Sequence, residues 1–91
     1  MEYTIIYHSA VVQKDIPKLS SDWKQKIRLA IETKLAVHPE IFGKPLRRSL
    51  KGYRTMRVWN YRVIFRIEQK TIKIFAIQPR DFVYAQIQKR I

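Results

Sequence analysis

The stretch Leu50–Phe65, LKGYRTMRVWNYRVIF, decides how this chain folds, and a second piece, Ile72–Tyr84, IKIFAIQPRDFVY, closes on it. The first reads as two strands joined at Trp59-Asn60, because Asn tolerates the positive φ that a tight hairpin turn needs. A two-residue loop there pairs Val58 with Tyr61, Arg57 with Arg62, Met56 with Val63 and Tyr53 with Arg66. Side chains alternate across a strand. One face therefore carries Met56, Val58, Val63 and Phe65, and the other carries Tyr53, Arg57, Arg62 and Arg66. Like charges directly opposite one another destabilise a strand pair. A fold accommodates Arg57 against Arg62 more readily when an anion sits between them, and the first chemical expectation is phosphate.

Composition narrows the field in the same direction. The 91 residues make one domain, 1–91, with one core. A chain of this size buries roughly 60–65% of its unfolded surface, enough to fold alone with little margin. Nineteen Lys and Arg oppose seven Asp and Glu, a formal net charge of +12. From Ile41 to Ile67 there is no acid, while Lys44, Arg47, Arg48, Lys51, Arg54, Arg57, Arg62 and Arg66 all fall there. That is the electrostatic footprint of a nucleic acid or another polyanion; a merely soluble surface mixes its signs. Cysteine is absent, which excludes disulfides, thiolate chemistry and thiolate zinc sites. The start, MEYTIIYHSA, lacks the basic opening and long apolar run of a signal peptide, and no run reaches the ~20 apolar residues of a membrane span, so a cytoplasmic protein is expected.

Outward from the hairpin, Tyr3–Tyr7 reads as a first strand. Ser9 is placed to cap a short helix through about Ile16, which Pro17 ends. Ser20, Ser21 and Asp22 offer an N-cap to a second helix, whose Trp23, Ile27, Ala30, Ile31 and Leu35 form one apolar stripe ended by His38-Pro39. Ile41–Leu50, with Gly43 and Pro45, reads as a connector containing at most a short extended piece. Thr71–Gln78 is apolar enough for a strand covered on both faces, and Arg80–Ile91 reads as a closing helix with Phe82, Val83, Ile87 and Ile91 available for packing. The order is β-α-α-β-β-β-α. The expected architecture is α+β: a small curved, mainly antiparallel four-stranded sheet, two N-terminal helices on one face, and a C-terminal helix.

The chemistry available is arginine plus tyrosine. Glu2, Asp15, Asp22, Glu32, Glu40, Glu68 and Asp81 are scattered singly, and His8 and His38 are thirty residues apart, so a convergent metal set is not expected. His8 reads as a structural residue at a strand end, and His38 as a helix-end residue. Arginine's planar fork binds phosphate oxygens bidentately and keeps its charge. It suits stabilisation of a phosphorane-like transition state and is a poor proton acceptor. RNA brings its own nucleophile, the 2′-OH, so positioning and charge can supply much of the barrier reduction without a cofactor. Tyr84, four residues after Arg80, can help as a proton-transfer or positioning group or pack on the sheet. Trp59 at the hairpin tip has three roles open to it: stacking on a base, packing on a partner, or folding back on its own sheet.

LKGYRTMRVWNYRVIF followed by AIQPRDFVY resembles the RelE/ParE superfamily of bacterial toxin–antitoxin toxins, whose usual form is close to LKGYYRLRVGDYRVIY and then IGHRKDVY. YHSAVVQKDIPKL is similar to the family's first strand and helix, and GKPLRRSLKGY to its approach to the hairpin, so the likeness covers nearly the whole chain. The resemblance implies a small curved sheet with two N-terminal helices. RelE-type members are endoribonucleases that cut mRNA in the ribosomal A site without metal. On the matching positions, the resemblance implies Arg57, Arg62, Arg80 and Tyr84 as catalytic residues; the basic cluster and the hairpin tip add Lys51, Arg54, Arg66, Arg47, Arg48 and Trp59 as expected RNA contacts. No cofactor is implied. Thr55 stands where Arg or Lys is common in the family, Trp59 where Gly is common, and Pro79 where His is common. The implied partners are the ribosome, mRNA and a cognate antitoxin, often acidic and encoded alongside, in a hetero-oligomer. A ParE-type inhibitor of DNA gyrase and a noncatalytic basic nucleic-acid-binding module are the alternatives.

Overall fold

Strands β1 (Thr4–Tyr7), β2 (Lys44–Pro45), β3 (Arg54–Val58), β4 (Tyr61–Glu68) and β5 (Thr71–Pro79) form one sheet in the order β1-β5-β4-β3-β2 in the computed structural model, which describes residues 3–91. Glu2, one of the scattered acids, lies outside the described residues. β1 runs parallel to β5, and the other neighbours are antiparallel. The hairpin holds the register that its alternation demands: Val58 faces Tyr61, Arg57 faces Arg62 and Met56 faces Val63. Its ladder stops at Arg54 opposite Phe65. Tyr53 and Arg66 meet beyond it through the guanidinium, 5.6 Å from the ring centroid.

The sheet has five strands rather than the four expected. The extra one, β2, is two residues inside the connector, paired with Arg54 and Thr55. Its Pro45 has no N–H to give and sits on the outermost strand, where that loss costs least. Gly43, just before it, touches the core: a Cβ there would overlap the ring of the fully buried Phe65.

A leading helical segment follows β1, wound as a wide turn over Val11–Asp15 and a tight one over Ile16–Lys18. His8 caps it, not Ser9: Nδ1 accepts from the Ala10 N–H at 3.0 Å. Helix α1 (Ser21–Ala30) is capped by Ser20, whose hydroxyl accepts from Trp23 N–H at 3.3 Å, and continues as a wide turn over Ile31–Leu35. A single turn, α2 (Pro39–Phe42), leads to β2, and α3 (Arg80–Ile87) follows β5.

Both faces of the sheet are covered. Val11, Leu19, Ile27, Ile31 and Leu35 pack on Met56, Val58, Val63, Phe65 and Ile77 on one side. On the other, Val83 and Ile87 of α3 join Leu50, Ile64, Phe75 and Ala76. Phe75 and Ala76 share that face despite being neighbours because the β4–β5 register shifts there: Ile64 faces Ala76, but Phe65 faces Ile74. The extra residue is a bulge. In α3, Phe82 and Ile91 beyond it stay exposed, whereas Val83 and Ile87 are buried.

β1 covers only half of β5's outer edge, and its last rung is His8 N–H to Ile74 O at 2.8 Å. Two side chains finish the ladder. Asp15 Oδ2 accepts from Ile77 N–H at 2.8 Å, and Arg90 Nη1 donates to Phe75 O at 3.0 Å. The two also bind each other at 2.7 and 2.8 Å, and Gln78 Nε2 donates to Asp15 Oδ1 at 2.9 Å. Burial alone would raise the Asp15 pKa, but hydrogen bonds from Arg90, Gln78 and Ile77 hold it below the ordinary carboxylate value. Side chains thus close an edge that would otherwise be open to strand addition.

Candidate active site on the hairpin

The alternation that sends Val63 and Phe65 into the core sends Arg62 to the α3 side of the sheet. There it faces Arg57 on β3 and Gln78 on β5. Both guanidiniums turn toward the hairpin tip. Arg57 Nε donates to the Trp59 carbonyl at 3.3 Å; Arg62 Nη1 donates to the same oxygen and to the Tyr61 carbonyl, each at 3.0 Å. A neutral carbonyl orients a guanidinium without cancelling its charge. Among the described residues the ion pairs are Arg28–Glu32, Arg66–Glu68 and Arg90–Asp15, so Arg57, Arg62 and Arg80 have no carboxylate partner.

Arg80 opens α3, and its N–H donates to Asn60 O at 2.8 Å, which sets the start of the helix against the hairpin turn. Pro79 precedes it at φ −57°, an N-cap position where a missing N–H forfeits nothing. At 3.6 residues per turn, the buried Val83–Ile87 stripe divides the helix surface. Arg80 and the half-exposed Tyr84 share one flank; Phe82 and Gln86 share the other. Three arginine positions therefore lie at one end of the sheet: two by cross-strand pairing and the third by a backbone bond to the turn between them. Such a set can hold the oxygens of a phosphodiester from more than one side.

The left-handed residue of the turn is Trp59 at φ 55°, not Asn60. For so bulky a residue that conformation is strained. The ring is 63% exposed, meets Trp23 edge-on at 5.6 Å, and has Lys26 Nζ 5.2 Å from its centroid. Trp59 thus leans on α1 and still offers surface to solvent. Thr55 stands on the same face as Arg57, two residues back, where its Oγ1 is buried without a hydrogen-bond partner.

The remaining basic residues do not all join this set. Arg54 projects to the other face and donates to Gly43 O at 3.0 Å, pinning the connector. Arg66, four residues after Arg62 and ~13 Å along β4, pairs with Glu68 at 3.3 Å. Arg47, Arg48 and Lys51 are exposed on the turn around Arg48–Leu50, with Arg48 at φ 59°. Sequence reading missed the Asp15–Arg90–Gln78 network, whose members carry no local signal.

Among the described residues no helix is long and apolar enough to cross a membrane. A comparison with curated proteins found no match. Solved structures, by contrast, match closely. The toxin–antitoxin complex RelBE2 from Mycobacterium tuberculosis is similar over 88% of this chain and 100% of the matched chain, with 28% identity and a TM-score of 0.81. The archaeal RelE–RelB complex from Pyrococcus horikoshii OT3 is similar at 26% identity over 88% of this chain and 97% of that one, with a TM-score of 0.61. A substituted E. coli RelE in the free state shares the fold, with a TM-score of 0.76 at 16% identity over 100% of this chain and 99% of that chain. The family described as "ParE toxin of type II toxin-antitoxin system, parDE" matches residues 3–84. The fold, the hairpin it is built on and this match agree: the chain belongs to the ParE toxin family, within the RelE/ParE superfamily, and is a toxin of a type II toxin–antitoxin system.

Proposed function

We propose that the toxin is a ribosome-dependent endoribonuclease that cuts translated mRNA and so arrests translation. The observation that carries this reading is the unpaired arginine set at the hairpin end: Arg57 against Arg62, both tethered to one carbonyl and neither facing an acid. In this reading Arg57, Arg62 and Arg80 bind the non-bridging oxygens of the scissile phosphate. The substrate's 2′-oxygen forms a bond to phosphorus and its proton leaves to solvent. The bond to the 5′-oxygen breaks, Tyr84 supplies that oxygen's proton, and a 2′,3′-cyclic phosphate and a 5′-hydroxyl result. Stabilising the charge of the phosphorane falls to the guanidiniums, and removing one such donor typically costs about 10²–10³ in rate. Thr55 contributes no charge here, so the burden rests on the three arginines.

The partner proposed is an antitoxin, as the RelBE2 and RelE–RelB complexes contain one for their own toxins. A net charge of +12 favours an acidic segment. A second reading is favoured by the family match itself, whose description is that of ParE: the same toxin would then bind DNA gyrase and perform no chemistry. Primer extension on cellular mRNA after brief expression separates the two. Codon-linked cuts, abolished in Arg62→Ala and Arg80→Ala variants that remain folded, support the nuclease. Intact mRNA with inhibited supercoiling, or undiminished toxicity in both variants, overturns it.

A further inference from the structure

A groove of about 580 Å³ opens on the other flank of α3 from Arg80 and Tyr84, between that helix and the leading helical segment. Lys14 and Lys18 stand on its rim, Tyr61 and Phe82 supply aromatic wall, and Gln86 supplies an amide, the Gln78 amide being committed to Asp15. Its floor holds the Asp15–Arg90 pair, a carboxylate and a guanidinium bonded twice. Hydrogen bonds and attraction keep both members charged, so the floor is neutral overall and the two lysines set the sign of the groove. Phe82 is 62% exposed, an unusual position for a large apolar ring with a neighbouring cavity to occupy.

The groove begins where the arginine set ends. Gln78 is the residue opposite Arg62 in the β4–β5 ladder, and Pro79 joins it to Arg80. A chain whose phosphate sits on Arg62 and Arg80 would pass round the Pro79 end of α3 to set its next unit in the groove. Aromatic faces bind any base, the Gln86 amide can read a base edge, and lysines on the rim neutralise phosphate. An acidic peptide would also use the lysines, but the groove adjoins the arginine set through Gln78 and Pro79, which favours an extension of the polyanion that the arginines bind.

We propose that this groove is a second RNA subsite, stacking the base of a nucleotide flanking the cleaved bond on Phe82 and Tyr61 and holding its phosphate with Lys14 and Lys18. The inference rests on the ribonuclease reading above, and its test separates the two. A short fluorescein-labelled oligoribonucleotide, 2′-O-methylated throughout so that it cannot be cut, is titrated with the toxin by anisotropy. Phe82→Ala is expected to weaken binding about tenfold, the worth of one stacked base. Lys14→Glu/Lys18→Glu is expected to weaken it at least as much and to flatten the slope of log K against log salt by about 0.7, the release from one single-strand phosphate. Lys14, Lys18 and Phe82 are exposed and Arg62 is half-buried, and circular dichroism checks that the variants fold. Groove variants that bind like the unsubstituted toxin, while Arg62→Ala weakens binding, overturn the subsite and leave the arginine assignment standing. Groove variants that lose affinity while Arg62→Ala does not uphold the subsite and remove the arginine reading. Loss of antitoxin binding with RNA affinity unchanged also overturns it, giving the groove to a protein partner.

Discussion

Asp15 is the residue whose removal should hurt this fold most among its charged groups. Its side chain is fully buried, and it accepts from Ile77 N–H, Gln78 Nε2 and both terminal nitrogens of Arg90 at 2.7–2.9 Å. In Asp15→Ala, the Ile77 N–H and the Gln78 amide each lose a buried acceptor, at about 1–3 kcal/mol apiece, and Arg90 loses its anion. The sum is about 4 kcal/mol, within the ~3–5 kcal/mol expected when one partner of a buried pair is deleted. Arg90→Ala should cost less, about 3 kcal/mol and so at the low end of that range, because the stranded carboxylate keeps two N–H donors. Urea unfolding followed by Trp23 and Trp59 fluorescence reads the difference. With a slope of ~1.5 kcal/mol/M, Asp15→Ala lowers the midpoint by about 2.7 M. The acid limb gives an independent check. Asp15's folded pKa lies below its ordinary 3.8, so its stabilisation is complete above that value and is lost as pH falls through the lowered one. Arg90→Ala should flatten that limb. If Arg90→Ala proved more damaging than Asp15→Ala, or if both stayed within ~0.5 kcal/mol of the parent, the ladder-closing role would be refuted.

Three further outcomes follow from the structure. Thr55→Val removes a buried hydroxyl without a partner at nearly constant shape and should leave stability unchanged or raise it by up to ~1 kcal/mol; a loss above that in urea unfolding would mean the hydroxyl is satisfied. Trp59→Gly should be more stable than Trp59→Ala by about 1 kcal/mol, since both lose the contacts to Trp23 but only Gly accepts φ 55° without strain; calorimetry ranks the pair, and the reverse order contradicts the left-handed turn. Gly43→Ala should destabilise by about 1–3 kcal/mol, because its methyl group meets the Phe65 ring inside a packed core, and a melting temperature equal to the parent's would show that Phe65 can move aside.

What was legible in the sequence was whatever alternation and helical spacing encode. The apolar set Met56, Val58, Val63 and Phe65 fixes the hairpin register, because a slip of one residue would turn it all to solvent. The same argument placed Arg57 opposite Arg62. Turn chemistry misled on the loop: Asn60 is the residue that tolerates positive φ, yet Trp59 adopts it, held by packing on Trp23 that no local rule sees. β2 was legible only as a short extended piece somewhere in the connector, because two residues have no period, and the first cap fell to His8 because an imidazole nitrogen reached Ala10 N–H. Clustering of charge in sequence also overstated clustering in space. Alternation sends Arg54 to the opposite face, where a carbonyl holds it, and Arg66 is spent on Glu68. Asp15 and Arg90 lie 75 positions apart. Only the folded chain shows that they finish one strand's ladder.

The strain at Trp59 and the arginine pair have a common origin. A left-handed residue redirects the peptide that follows it, and the carbonyl so redirected is the one that both Arg57 and Arg62 hold. Two like charges in register repel, so each side chain would swing apart into solvent if nothing tied it. A single neutral oxygen between them ties both without discharging either. The energy stored in the turn, of order 1–3 kcal/mol, therefore sits where it keeps two cations close and uncompensated. A phosphate arriving there meets charge that needs no rearrangement, the condition under which electrostatic stabilisation is most effective. On the nuclease reading, strain and repulsion at the hairpin end are the same investment in a prepared anion site. The rest of the domain, with its two covered faces and its side-chain-closed edge, is what makes that investment tolerable in so small a fold.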